Sequence, residues 1–183
     1  MHNEIERTLL SEEEIEAKVR ELGERISRDY QGKEVIAVCI LKGAVVFFAD
    51  LMRQIDLPLA LDFMSISSYG NSRQSSGVVQ IVKDMDNNIT GKHVLIVEDI
   101  MDSGQTLFYL KELLMARDPL SFKVCCLLDK PSRRVAAIEP DYCGFQIPDE
   151  FVVGYGLDFA ERHRNLPYVG ILKPETYADN AAK

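Results

Sequence analysis

Apolar residues recur along the chain at two different periods. Ile15, Val19, Leu22 and Ile26 fall three or four apart, which draws one apolar stripe along a helix. Ser11 with Glu14 three residues on forms a capping box at its start. The acidic run Glu12, Glu13, Glu14 sits in the first turn, where the helix dipole favours it, and is a solvated helix start. The chain is therefore expected to open with a helix, which Gly32 ends. Next, EVIAVCILKG is a continuous apolar run closed by a glycine turn, the pattern of a strand buried on both faces. AVVFFADLMRQI follows as a helix. LALDFMSISSY alternates, NSRQSSG is polar, and VVQIVK resumes, which predicts an antiparallel arm with a long loop. KHVLIVEDI and FKVCCLLDK are two more doubly buried strands, with the helix LFYLKELLMAR between them, stopped by Asp118 and Pro119. Short strands near Tyr142 to Phe145, Phe151 to Val153 and Tyr168 to Leu172 are expected to complete the sheet. Buried strands alternating with helices predict an α/β fold with a mostly parallel central sheet flanked by helices. In such sheets ligands bind at the carboxyl ends of the strands.

Length and composition narrow the function. A chain of 183 residues favours one domain, spanning 1–183. The balance of 21 Lys and Arg against 29 Asp and Glu, a net charge of −8, argues against nucleic acid or an anionic membrane as main partner. It also raises a doubt about small anions as substrates. No positively charged lead followed by an apolar stretch opens the sequence, and no apolar run reaches the roughly 18 residues of a membrane span. Cys39, Cys125, Cys126 and Cys143 form no C-x-x-C pair and suit small buried hydrophobes. The three histidines match no metal spacing. A reducing, cytoplasmic compartment is the expectation.

The stretch VLIVEDIMDSGQTL, Val94 to Leu107, carries the most chemistry. A buried strand delivers two adjacent carboxylates, Glu98 and Asp99, at its carboxyl end. The turn Asp102, Ser103, Gly104, Gln105, Thr106 then opens a helix, whose first N–H groups and dipole suit a phosphate. Gly104 allows close approach, and the Ser103 and Thr106 hydroxyls add donors. An ordinary turn capped by Asp102 or Ser103 would account for Asp, Ser and Gly, but not for paired carboxylates ending an apolar strand. No Lys follows Gly104, so this is no Walker A loop, and the dinucleotide spacing is absent.

VLIVEDIMDSGQTL resembles the phosphoribosyl pyrophosphate signature of the type I phosphoribosyltransferases. From about Leu9 to Pro174 the chain resembles their hypoxanthine–guanine branch: ILKG at Ile40 to Gly43, SSYG at Ser67 to Gly70, LLDK at Leu127 to Lys130 and FVVGYGLDFAERHRNLP at Phe151 to Pro167 follow in order. The resemblance implies that fold, with a small hood and a mobile lid hairpin. It implies that Glu98 and Asp99 hold ribose hydroxyls and that Asp102 to Thr106 hold the 5-phosphate. Asp102 would also face the purine N7 as general base, a role compatible with capping the helix. Lys42, Gly43 and Arg164 would bind pyrophosphate, and the Leu41–Lys42 peptide can be cis. Ser68 and Tyr69 would begin the lid, whose polar loop is itself unable to form a core. Ile100, Lys130, Phe151, Val152, Leu157 and Asp158 would form the purine site: Lys130 donating to the 6-oxo group, Phe151 stacking, the Val152 main chain bonding the pyrimidine edge. Glu98, Asp99 and Asp158 would serve magnesium.

The implied reaction is transfer of the phosphoribosyl group to hypoxanthine, and to guanine, giving the nucleoside monophosphate and pyrophosphate in a purine-salvage homodimer or homotetramer. The alternatives are a guanine- and xanthine-preferring enzyme and a phosphoribosyl pyrophosphate-binding regulator of nucleic acid. A phospho-acceptor signalling domain also clusters carboxylates on an α/β sheet, but there the pair belongs on the first strand. The acidic charge ceases to conflict with phosphate if Glu98, Asp99 and Asp158 face hydroxyls and magnesium.

Overall fold

A computed structural model describes residues 2–68 and 79–178. A three-residue 3-10 turn leads into β1 (Ile5–Leu10) and α1 (Glu12–Asp29). There follow β2 (Val35–Leu41), α2 (Val45–Met52), β3 (Leu59–Ser68), β4 (Val79–Lys83), β5 (His93–Met101), α3 (Gln105–Met115), β6 (Ser121–Asp129), β7 (Tyr142–Gln146), β8 (Val152–Val153), β9 (Val169–Leu172) and α4 (Pro174–Ala178).

The central sheet has the order β4-β3-β2-β5-β6-β7. All its neighbours run parallel except the β3–β4 arm, which is antiparallel as its alternating pattern predicts. The continuous apolar runs have the expected cause. Along β2, Val35, Ala37 and Cys39 pack under α1 and α2, while Ile36, Val38 and Ile40 pack under α3. β5 divides likewise, Leu95 and Val97 to one side, Val94 and Ile96 to the other. Each face of the sheet is thus covered by helix, and polar groups are pushed to the strand ends. The Ser11–Glu14 capping box forms in both directions. All four cysteines are free thiols, and burial pushes that of Cys39 up to about 12, so it behaves as a small hydrophobe.

Two expectations need correction. A strand, β1, precedes the first helix; IERTLL lacks a clean alternation and finds its partner, β9, some 160 residues on. Nor do the segments around Phe151 and Tyr168 join the central sheet. β8 and β9 pair with each other and with β1 in a separate antiparallel sheet of order β1-β9-β8. This small sheet is the hood. Among the described residues no helix is long and apolar enough to cross a membrane.

Candidate active site

The carboxyl ends of β2, β5 and β6 lie side by side and supply most of the site. A cavity of about 250 Å3 opens there, lined among others by Ile40, Ile66, Glu98, Ile100, Ser103 and Thr106. Asp99 is buried, and its Oδ1 accepts the Ile100 N–H at 2.7 Å. A Cβ on Gly43 would stand 1.7 Å from Asp99 Oδ2. Any side chain at position 43 would displace that carboxylate, so β5 and the β2 loop fit only with glycine there. The Leu41–Lys42 peptide, which the resemblance leaves open to either form, is cis.

Burial, followed by the adjacent charge of Asp99, drives the Glu98 carboxyl well above the usual range. Burial also raises Asp99, against which the hydrogen bond from Glu98 and the Ile100 N–H act. Burial and the neighbouring carboxyl thus both favour the neutral form of Glu98. An acid whose folded pKa is raised costs stability once it ionises: stability falls as pH rises from the ordinary carboxylate range, about 4.3, through the raised folded value. Glu98→Gln retains an N–H donor and removes that cost. It is expected to raise the melting temperature at pH 8 by a few degrees and to flatten its decline above pH 5. A lowered melting temperature, or an unchanged pH dependence by differential scanning calorimetry, would show that ionised Glu98 is well accommodated.

The turn after β5 departs from expectation in one respect. Asp102 does not cap α3. The N-cap is Gly104, left-handed at φ 77°, and no side chain caps it. A Cβ at Gly104 would meet Ile138 Cγ2 at 2.9 Å and Arg134 Cδ at 3.1 Å, which requires glycine there. Ser103 Oγ reaches the Gln105 N–H only at 3.4 Å. Beyond this long contact no side-chain cap bond is made from the N-cap position, which suits an anion site at the start of α3.

Asp102 is instead held by two arginines that no local pattern singles out. Arg133 Nε lies 3.2 Å from its Oδ1, off the line of a hydrogen bond. Arg134 donates to its main-chain oxygen and to the carboxylate of Asp129, which is 1% exposed. The Ser103 carbonyl accepts from the Val135 and Ala136 N–H groups. The loop after β6 therefore braces the whole turn.

Lys42 and Arg164 come together as expected, with Glu161 between them. Glu161 lies 3.2 Å from the Lys42 ammonium and 3.5 Å from Arg164, and the Lys42 hydrogen bond lowers its carboxyl pKa. Arg164 also pairs with Asp158 at 2.7 Å, and Asp158 Oδ2 accepts the Glu161 N–H. Among the described residues no three carboxylate, His or Cys groups are gathered as metal ligands. Glu98, Asp99 and Asp158 thus form no ready-made cage, contrary to a joint metal site. The donor set still fits magnesium held in the way usual for that ion, by one or two carboxylates with water and substrate phosphates completing it. The two adjacent carboxyls at the end of β5 are the observation that suits it.

Of the purine-site candidates, Lys130 is 5% exposed; its ammonium donates to the Glu150 carbonyl at 2.8 Å and lies 3.9 Å from the Asp149 carboxylate. Leu172 N–H donates to the Phe151 carbonyl, so in the antiparallel β8–β9 pair Val152 opposite Ile171 turns its main-chain groups away from β9. β8 is an edge, and those groups face outward. Leu157 is buried in the core beneath. Phe151 is 39% exposed. Ser68 ends β3, and Tyr69 with the loop NSRQSSG lies outside the described residues.

Comparison with known proteins agrees with this geometry. The family model of the phosphoribosyl transferase domain matches residues 7–160. The hypoxanthine-guanine phosphoribosyltransferase of Bacillus subtilis is 55% identical over 177 residues, covering 97% of this chain and 98% of its own length. The bifunctional protein TilS/HprT of Listeria innocua is 54% identical over 98% of this chain, which spans 28% of that relative's length. The crystal structure of a hypoxanthine phosphoribosyltransferase from Staphylococcus aureus superimposes with a TM-score of 0.94 at 52% identity, covering 97% of this chain and 96% of that one. With this fold, this signature at the end of β5 and these relatives, the chain belongs to the phosphoribosyl transferase domain family.

Proposed function

We propose that residues 1–183 act as one domain that transfers the 5-phosphoribosyl group from phosphoribosyl pyrophosphate to hypoxanthine, and to guanine, giving the nucleoside monophosphate and pyrophosphate. The observation that carries this reading is the glycine-opened start of α3 beside the Glu98–Asp99 pair. A phosphate would take the N–H groups and hydroxyls from Ser103 to Thr106, and the ribose diol would donate to Glu98 and Asp99. The base would lie between Phe151, Ile100 and the Lys130 ammonium, which donates to a 6-oxo group but not in the same way to a 6-amino group. The outward main-chain groups of Val152 would meet the pyrimidine edge.

As the purine N9 attacks C1 of the ribose, positive charge grows on the sugar and negative charge on the departing pyrophosphate. Lys42 and Arg164 would leave Glu161 for the pyrophosphate oxygens and stabilise that charge. Asp102 would accept or share the proton at N7. When bound on the pyrophosphate side, near Asp158, magnesium supplies further charge neutralisation. A lid beginning at Ser68 and Tyr69 would exclude water while the ribosyl centre is exposed. A cytoplasmic homodimer or homotetramer acting in purine salvage goes with this reading.

The test is consumption of hypoxanthine, guanine, xanthine and adenine with phosphoribosyl pyrophosphate and magnesium. Turnover of hypoxanthine and guanine that stops on chelation is expected. Xanthine turnover well above hypoxanthine would favour the guanine- and xanthine-preferring alternative. No turnover of any base would leave a binding protein, and activity that survives a strong chelator would exclude the metal requirement.

A further inference from the structure

The aromatic ring expected to stack on the base is itself stacked from behind. Tyr177, in the last described turn of the chain, lies over Phe151 with ring centroids 5.1 Å apart and planes 19° from parallel. Phe159 meets Phe151 edge-on, 5.6 Å away at 89°. Tyr177 lies beyond the 7–160 span of the family match.

The backbone explains how it arrives there. β9 pairs with β8, and the Leu172 N–H donates to the Phe151 carbonyl at 2.8 Å. The chain leaving β9 is tied down at once, Lys173 N–H to the Glu4 carbonyl at 2.9 Å, and then turns at Pro174 into α4. That turn folds back over the residue opposite the end of β9, which is Phe151. With one ring against its face and another across its edge, Phe151 still keeps 39% of its surface open. Lys130 donates to the carbonyl of Glu150, the residue before Phe151, so the ring and the ammonium are set by one short segment.

We infer that Tyr177 is a positioning residue for base recognition: it backs Phe151, fixes the plane of that ring, and so prepares the opposite face to receive a purine. This rests on the proposed phosphoribosyl transfer. A ring held between neighbours loses little rotamer freedom when a base stacks on it, whereas a free ring must be ordered at binding. The effect belongs to the planar base and leaves phosphoribosyl pyrophosphate untouched.

Steady-state kinetics on the full chain separate the possibilities. Tyr177→Ala is expected to raise KM for hypoxanthine and guanine by roughly three- to tenfold, the span expected for losing one aromatic pair. KM for phosphoribosyl pyrophosphate and the melting temperature should stay unchanged. Tyr177→Phe, which retains the ring, should restore the base KM. An unchanged base KM in Tyr177→Ala would overturn the inference while the proposed activity stands. A lowered base KM would overturn it as well, because Tyr177 would then occupy the place of the base. A wild-type chain that turns over no base would remove the proposed function itself, and the Tyr177 role with it.

Discussion

Replacing Asp102 by Ala is expected to lower turnover by about 100- to 10,000-fold, the contribution typical of a positioned general base, while changing KM for phosphoribosyl pyrophosphate little. The reason lies in what Asp102 does not do. It is not the cap of α3, since Gly104 occupies that position and the one side chain that reaches the first N–H groups is Ser103, not Asp102. Loss of its carboxylate therefore leaves the amides at the start of α3, proposed to bind phosphate, in place. The carboxylate makes no hydrogen bond at Oδ1 and rests beside Arg133, itself 3.2 Å from Asp149, at the edge of the cavity. Asp102→Asn, which retains shape but cannot take a proton, should fall nearly as far in kcat. If KM for phosphoribosyl pyrophosphate rises by the same factor as kcat falls, Asp102 serves to shape the turn and the proton lies elsewhere.

What could be foreseen followed from range along the chain. The strand carrying Glu98 and Asp99 and the glycine-containing turn are continuous in sequence. Their chemistry was legible because an unbroken apolar run has no other use for two terminal carboxylates. The first helix was legible for the same reason: a capping box and a four-residue stripe are local. β1 was missed because its pairing with β9 closes nearly the whole chain, and a short partly exposed strand carries little pattern of its own. The placement of β8 and β9 in a second sheet was equally hidden, since alternation says that a strand exists but not which edge it joins. The arginines around Asp102 were hidden by distance too. Arg134 stands 32 residues from the carbonyl it holds, and in the sequence SRR is a polar turn like any other. Glu161 between Lys42 and Arg164 was lost in the same way, its partner 119 residues off. Local spacing yielded the acidic pair; the cations that hold the site in shape appeared only with the fold.

Arg134→Met is expected to cost about 3–5 kcal/mol of stability, because it leaves the carboxylate of Asp129, 1% exposed, buried without its partner. For a chain of this size that corresponds to a fall of roughly 6–20 °C in melting temperature. Such a loss alone would not separate a stabilising ion pair from one that shapes the site. The double variant Arg134→Met with Asp129→Leu makes the separation. Removing both charges replaces an ion pair by apolar packing, which is often neutral or stabilising, so most of the lost stability should return. Activity should not return with it. The Asp102 carbonyl would still lack its guanidinium donor, and Gly104 would lose the Arg134 stem that lies against it, so the turn proposed to hold the phosphate is free to shift. A displacement of about 1 Å at a reacting group is enough to cost about a hundredfold in rate. A double variant with wild-type melting temperature and kcat depressed at least tenfold assigns Arg134 to positioning the turn. One that regains both would mean that the loop after β6 holds Asp102 and Ser103 through the Val135 and Ala136 amides alone, and that the buried pair serves stability only.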